Sequence, residues 1–211
     1  MKNFFFIIWF SFISLSEILY AGGFKFEVKL NSLGESTLNL KGDRIVANPN
    51  GGGLQSVQGK AKNEMGFTLG TGYEVEVNET IFALFGFSYT NHKTKTIKIT
   101  DALDNGSLEG TSVALDLIGQ YNAFGDFFMR LGLSFPILSR FKGHFDNSSG
   151  IDEVNMEGVM GIHVTFGYKI IDELRVALGY SMVMLEKEKG LTGVDIKINS
   201  NNFLFGVDFV F

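Results

Sequence analysis

The sequence predicts an all-β chain: an eight-stranded antiparallel up-and-down transmembrane β-barrel, preceded by a cleavable signal peptide. Three observations carry this. Stretches of about ten residues alternate strictly between apolar and polar side chains, the period of a strand with two unlike faces. The links between them are alternately a few residues and long polar segments. The apolar face is free of charge on every stretch, and the charges within the stretches have the opposite parity.

The first strand, "FKFEVKLN", sets Phe24, Phe26, Val28 and Leu30 on one face and Lys25, Glu27 and Lys29 on the other. The second, "EMGFTLGTGYEVEVN", has Met65, Phe67, Leu69, Tyr73, Val75 and Val77 on its apolar face. A tight turn at Asn78-Glu79 leads to the third, with Ile81, Ala83, Phe85, Phe87 and Tyr89. Val113, Leu115, Leu117 and Tyr121 mark the fourth, and "NAFGD" turns it into the fifth, with Phe127, Met129, Leu131, Leu133 and Phe135. The sixth carries Met160, Ile162, Val164, Phe166 and Tyr168. After a turn near Ile171-Asp172, the seventh carries Leu174, Val176, Leu178, Tyr180, Met182 and Met184. The eighth is the C-terminal "NFLFGVDFVF". Four long connections, 31–63, 90–111, 136–155 and 186–201, join the other strand ends. Loops of such length are uncommon in compact soluble domains. Their regular recurrence matches the short-turn, long-loop layout of outer-membrane barrels.

Composition agrees. Charged residues make up 19% of the chain, against roughly 25% in soluble domains. The 26 Gly and 22 Phe suit crowded β-structure more than a helical domain. A net charge of -5 with scattered basic residues argues against nucleic-acid binding. The absence of Cys excludes disulfides and thiolate metal sites. No metal or cofactor is expected.

Residues 1–21 form the expected signal peptide and 22–211 the barrel. Lys2 precedes an apolar run over residues 4–15, which is shorter than the roughly 20 residues a spanning helix favours. Small residues follow at Ser14, Ser16 and Ala21; cleavage falls after Ala21 or, alternatively, after Ser16.

The alternation assigns the uncharged face to lipid, where a Lys or Arg costs about 2–4 kcal/mol at mid-bilayer. With the first strand rising from the periplasm, Tyr73, Tyr121, Tyr168, Phe209 and Phe211 gather at one rim. Tyr89, Phe135 and Phe203 gather at the other, as two interfacial aromatic girdles. The opposite parity faces the lumen and alternates small with large, from glycines such as Gly70 and Gly167 to Leu84 and Phe128. That is how an eight-strand barrel fills its interior. Lys25, Glu27, Glu74, Glu76, Arg130, Arg175 and Asp208 are expected to form a paired ionic cluster near the periplasmic end.

The last strand, with Phe205, Gly206, Val207, Phe209 and Phe211, resembles the C-terminal assembly signal of bacterial outer-membrane barrels: a Gly, alternating apolar residues and a terminal aromatic. With the signal peptide and the eight strands, the chain resembles the small barrels of the OmpA/OmpX/opacity type. The resemblance implies a bacterial outer-membrane protein with both termini periplasmic, probed by the barrel assembly machinery, surrounded by lipid and lipopolysaccharide, and monomeric.

Candidate chemistry in the chain is sparse. His163 and Thr165 share the inward face of the sixth strand, which suggests acyl transfer on lipid A. No local signature supports it, and a satisfied interior histidine is the favoured reading. His92 and His144 stand alone. "DALDNGSLEGTS" departs from a calcium loop at Leu103 and Ser112. The basic alternating stretch "HKTKTIKIT" reads as a strand extension above the membrane in preference to a lipopolysaccharide patch. The expected function is therefore non-catalytic: four surface loops displayed for adhesion or surface interaction, with a contribution to envelope integrity. The alternative is a narrow porin-like conduit for small or apolar solutes, similar to the OmpW family.

Overall fold

The computed structural model describes residues 22–32, 34–42, 55–94, 98–99, 106–145, 153–187 and 194–211. The expected signal peptide and the tips of the four long connections lie outside these residues. Eleven strands are present: β1 (Gly22–Ser32), β2 (Glu35–Gly42), β3 (Gln55–Lys62), β4 (Gly66–Asn78), β5 (Ile81–Lys93), β6 (Lys98–Ile99), β7 (Gly106–Phe124), β8 (Phe127–Phe145), β9 (Glu153–Ile171), β10 (Leu174–Lys187) and β11 (Val194–Val210).

Eight of them form a ring in the order β1-β4-β5-β7-β8-β9-β10-β11, and β1 pairs with β11 to close it. The closing register runs from Lys25 opposite Val210 to Ser32 opposite Phe203. Phe24 and Phe211 exchange backbone hydrogen bonds of 2.9 and 2.8 Å at the seam. A closed ring leaves no strand edge, which matters in lipid because no water is present to satisfy a free N–H or C=O.

The short links lie together at one end of the barrel, the turn end. Asn78 shapes the first: its side-chain oxygen accepts the Thr80 and Ile81 backbone N–H groups, each at 2.9 Å. Gly125 shapes the second with φ of 58°, a left-handed conformation that suits Gly. At the opposite, loop end the ring continues. Residues 194–200 of β11 reach past β1 and pair with β2, β2 pairs with β3, and β3 pairs with β6. The segments 31–63, 90–111, 136–155 and 186–201, expected as loops, thus contain paired strand. The apolar residues of these segments, among them Leu108, Phe141 and Ile198, are buried inside, so the signal that marks a lipid-facing strand is missing there.

Outward positions in the eight-strand ring are apolar on every stave, from Phe24 and Phe26 on β1 to Phe203 and Phe205 on β11. Charged exposed residues lie at the two ends of the staves, Lys62, Lys93, Glu109 and Lys142 towards the loop end and Glu76 at the turn end. Fixed alternation fails at two places. Ile137 and Leu138 both face outward (56% and 69% exposed), and this extra residue turns Phe141 inward (3% exposed). On β9, Met156 is buried and Glu157 is exposed, the reverse of the parity that Met160, Ile162 and Val164 set.

The lumen is filled by cross-strand pairing of glycine with bulk. Glu27 lies opposite Gly70, Lys29 opposite Gly206, Phe128 opposite Gly167 and His163 opposite Gly132. A Cβ added at Gly167 would lie 2.1 Å from the Phe128 ring, and one at Gly132 would lie 2.0 Å from the His163 imidazole. Each glycine is the seat of its neighbour's side chain.

Candidate functional site

Luminal charges concentrate in the turn-end half. They reach it because strand pleating turns every second residue inward. Lys25, Glu27 and Lys29 come from successive inward positions of β1; Lys25 Nζ donates to Glu27 Oε2 and Lys29 Nζ to Glu27 Oε1, both at 2.6 Å. Arg175 on β10 donates to both oxygens of Glu74 on β4, at 2.6 and 2.8 Å. Arg130 on β8 bonds Asp208 on β11, and Lys25 Nζ stands 3.7 Å from the same carboxylate. Gln120 on β7 ties the two guanidiniums together: its Oε1 accepts from Arg130 Nε at 2.7 Å and from Arg175 at 3.4 Å. Arg130 also stacks over Phe128, 4.4 Å from the ring centroid.

Among the described residues the buried lysines and arginines are Lys25, Lys29, Arg130 and Arg175, and the buried carboxylates are Glu27, Glu74, Asp116 and Asp208. The two signs balance. Charges withdrawn from water need such partners. The network crosses the lumen, since β8 and β11, like β10 and β4, are not ring neighbours.

Six of the seven expected cluster residues are brought together: Lys25, Glu27, Glu74, Arg130, Arg175 and Asp208. Glu76 is not. It is exposed and makes no ion pair among the described residues. A register shift between Glu76 and Asn78 marks where β4 leaves the lumen for its turn. Lys29 takes a place in the network instead. Its parity with Lys25 and Glu27 was legible, but its contact with Glu27 depends on the small Gly206 beside it.

Beyond the network, towards the loop end, lies a cavity of about 80 Å³. Its wall is mostly apolar, from residues such as Pro136, Phe141, Met182 and Leu204, and is studded with the hydroxyls of Thr68, Thr90, Ser112, Ser134 and Ser200. Asp116 accepts a 2.5 Å hydrogen bond from Ser134, whose Oγ is also 3.5 Å from His163 Nδ1. The other imidazole nitrogen faces Gly132 and has no hydrogen-bond partner. His163 is thus a packed luminal residue with one weak polar contact. His92 is buried, bonds Ser200 at 3.1 Å and packs edge-on against Phe141. Above the cavity, Asn63 joins β2 to β11: it accepts from Ser36 and donates to Asn202, each at 2.7 Å.

Of the assembly-signal residues, Phe205, Phe209 and Phe211 are exposed on the outer face, Val207 shares that face, and Gly206 is buried inside. Aromatic pairs decorate the outer face: Phe127 with Tyr168 near the turn end, and Phe67 with Tyr89 towards the loop end.

A closed ring, an uncharged apolar belt and a polar lumen are the features of a small outer-membrane barrel, and the belt sets the chain in the bacterial outer membrane. No protein-family model matches the sequence, and no curated protein matches it. Solved structures with a similar course include the outer-membrane protease OmpT from Escherichia coli, 8% identical with a TM-score of 0.46, covering 90% of this chain and 97% of that one. Neisserial surface protein A is 15% identical with a TM-score of 0.41, covering 88% and 97%. The outer-membrane protein OprG from Pseudomonas aeruginosa is 13% identical with a TM-score of 0.41, covering 90% and 96%.

Proposed function

We propose that this barrel is a closed, non-catalytic scaffold of the outer membrane. In this reading its turn end and both chain termini face the periplasm, and its loop end is displayed for adhesion or surface interaction. The observation that carries the reading is the ion-paired network across the turn-end half of the lumen. Paired, buried and cross-braced side chains leave no solvated ion path there. The staves also continue beyond the apolar belt, so the four long connections rise from a rigid base.

Absence of catalysis is part of the proposal. Asp116 is engaged by Ser134 and not by His163, so no acidic group orients the imidazole as a base. Lipid A masses identical in cells with and without the protein are expected; a mass change that depends on His163 would overturn this.

Planar-bilayer recording tests closure. The purified barrel is expected to give no steady single-channel conductance. Steady conductance would favour the second reading, a narrow conduit, to which the cavity lends some support. Protease shaving of intact cells tests orientation: cleavage is expected within the long connections and not within the short turns. A pull-down from envelope and host-surface fractions, with the intact barrel and a variant lacking residues 43–54, tests display. Equal capture by both would remove that connection from the interaction.

A further inference from the structure

The lumen is layered, and a single stave shows the order. On β7 the inward residues Gln120, Asp116, Ser112 and Leu108 follow one another at every fourth position from the turn end to the loop end, and all are buried. Gln120 belongs to the ion-paired network, while Asp116 and Ser112 line the cavity. Leu108 is apolar and wholly inaccessible. β11 repeats the order, with Asp208 in the network, Asn202 and Ser200 on the cavity and Ile198 beyond them.

The outermost layer is an apolar ceiling. Ala61 on β3, Leu108 on β7, Phe141 on β8, Met156 on β9, Leu185 on β10 and Ile198 on β11 make it, each 5% exposed or less. Leu185 lies opposite Ile198, and Phe141 opposite Met156. Phe141 also packs on Gly110, where an added Cβ would meet its ring at 2.6 Å, and stands edge-on to His92. Phe141, Leu185 and His92 bound the cavity towards the loop end, and Glu27 and Lys29 bound it towards the network.

The ceiling lies beyond the lipid. Every one of its residues has a charged neighbour on the opposite face: Lys60 and Lys62 flank Ala61, Glu109 follows Leu108, Lys142 follows Phe141, Glu157 follows Met156, Glu186 follows Leu185 and Lys197 precedes Ile198. Level with the cavity the outward neighbours are apolar, as with Leu117 beside Asp116 and Phe203 beside Asn202. The staves therefore exchange faces. Where hydrocarbon surrounds the barrel the apolar side is outside, and where water surrounds it the apolar side turns in. A polar solute or ion entering such a layer loses hydration that no side chain replaces.

Between ceiling and network, Asn31 Oδ1 and Ser112 Oγ are buried without a hydrogen-bond partner, and both residues line the cavity. Buried polar atoms are ordinarily satisfied.

We propose that the lumen is shut twice, by the ion-paired network and by this apolar ceiling, and that the cavity between them is an enclosed chamber whose water serves Asn31 and Ser112. The proposal rests on the closed-scaffold reading and adds a second seal of different chemistry, placed outside the membrane.

A thiol inside the chamber tests it. The chain has no Cys, so Ser112→Cys is a lone reporter, and Lys60→Cys, exposed outside the ceiling, is the reference. The probe is the charged reagent 2-sulfonatoethyl methanethiosulfonate, with the barrel in phosphatidylcholine nanodiscs, where both ends meet solvent. Ser112→Cys should react at least ~10-fold more slowly than Lys60→Cys, since its reaction awaits local opening. Adding Leu185→Ala with Ile198→Ala, which leaves space in the ceiling, should raise its rate at least ~10-fold. Should that pair prevent insertion, Leu108→Ala with Met156→Ala thins the same layer; heat-modifiable migration identifies the inserted variants. Equal reaction of the two thiols with the ceiling intact, or no acceleration once it is thinned, overturns the apolar seal. Planar-bilayer recording separates this from the reading beneath it. Neither the native barrel nor the thinned variant should conduct, because the network stays shut. Conductance of the native barrel overturns the closed scaffold, whereas a fast Ser112→Cys reaction in a non-conducting barrel overturns the ceiling alone. Conductance that appears only on thinning the ceiling overturns the double closure.

Discussion

Arg175 and Glu74 join non-adjacent staves of the barrel through the lumen, with two hydrogen bonds of 2.6 and 2.8 Å between one guanidinium and one carboxylate. Both side chains are nearly inaccessible to water. Removing one partner leaves the other charged and buried, which costs about 3–5 kcal/mol, whereas replacing both with apolar residues of similar volume is often close to neutral. Glu74→Gln should therefore lower the urea midpoint of the bilayer-inserted barrel markedly, and Arg175→Met with Glu74→Met should recover most of the loss. A midpoint unchanged by Glu74→Gln would show that this contact does not hold the barrel together.

Glycine positions separate into two kinds. Gly167 is the seat of the Phe128 ring, so Gly167→Ala forces a clash and should cost about 1–3 kcal/mol. Gly119 faces outward, where an added Cβ meets nothing nearer than 3.9 Å. Gly119→Ala should be neutral or slightly stabilising. Unfolding of the two variants side by side, on the same background, checks the contrast; equal effects would contradict the seating of bulk on glycine.

The outward belt should reject charge. Leu131 stands 60% exposed in the apolar stretch of β8, between Met129 and Leu133. Leu131→Arg should destabilise the inserted barrel by about 2–4 kcal/mol, and Leu131→Ile should have little effect. Tolerance of the arginine would mean that this face does not meet lipid.

Phe211 pairs through its backbone with Phe24, and its side chain stays exposed. Phe211→Ser keeps both backbone bonds. Its effect should therefore appear in assembly: slower appearance of protease-resistant, heat-modifiable barrel in a pulse-chase experiment, with unchanged strand content after refolding in detergent. Normal insertion of the variant would remove the assigned role of the terminal aromatic.

Much of this was legible in the chain. Alternation identified the lipid face and the lumen, because inward and outward environments differ most where one is hydrocarbon. The luminal glycines were legible as small residues among large ones, but their individual partners depend on cross-strand register. Glu76 and Lys29 show the limit. Both have inward parity, yet Glu76 lies beyond the point where β4 leaves the lumen, and Lys29 packs against Gly206 from a strand far away in sequence. The bulge at Ile137 and Leu138 reversed the parity that followed, since one extra residue exchanges the two faces of a strand. Strand beyond the apolar belt escaped notice because its outward face carries charge and its apolar residues, such as Leu108 and Ile198, are turned inward.

What the sequence determined by itself was the contrast between faces: an uncharged exterior, a mixed interior, short turns at one end and the terminal strand that closes the ring. These follow from local alternation and need no knowledge of which strands meet. Tertiary structure alone decided which charges pair across the lumen and that the β8–β9 ladder is irregular beside Pro136. Those features arise from register between segments distant in the chain. Register is set by how well all the luminal side chains fit at once, which no single stretch of sequence contains.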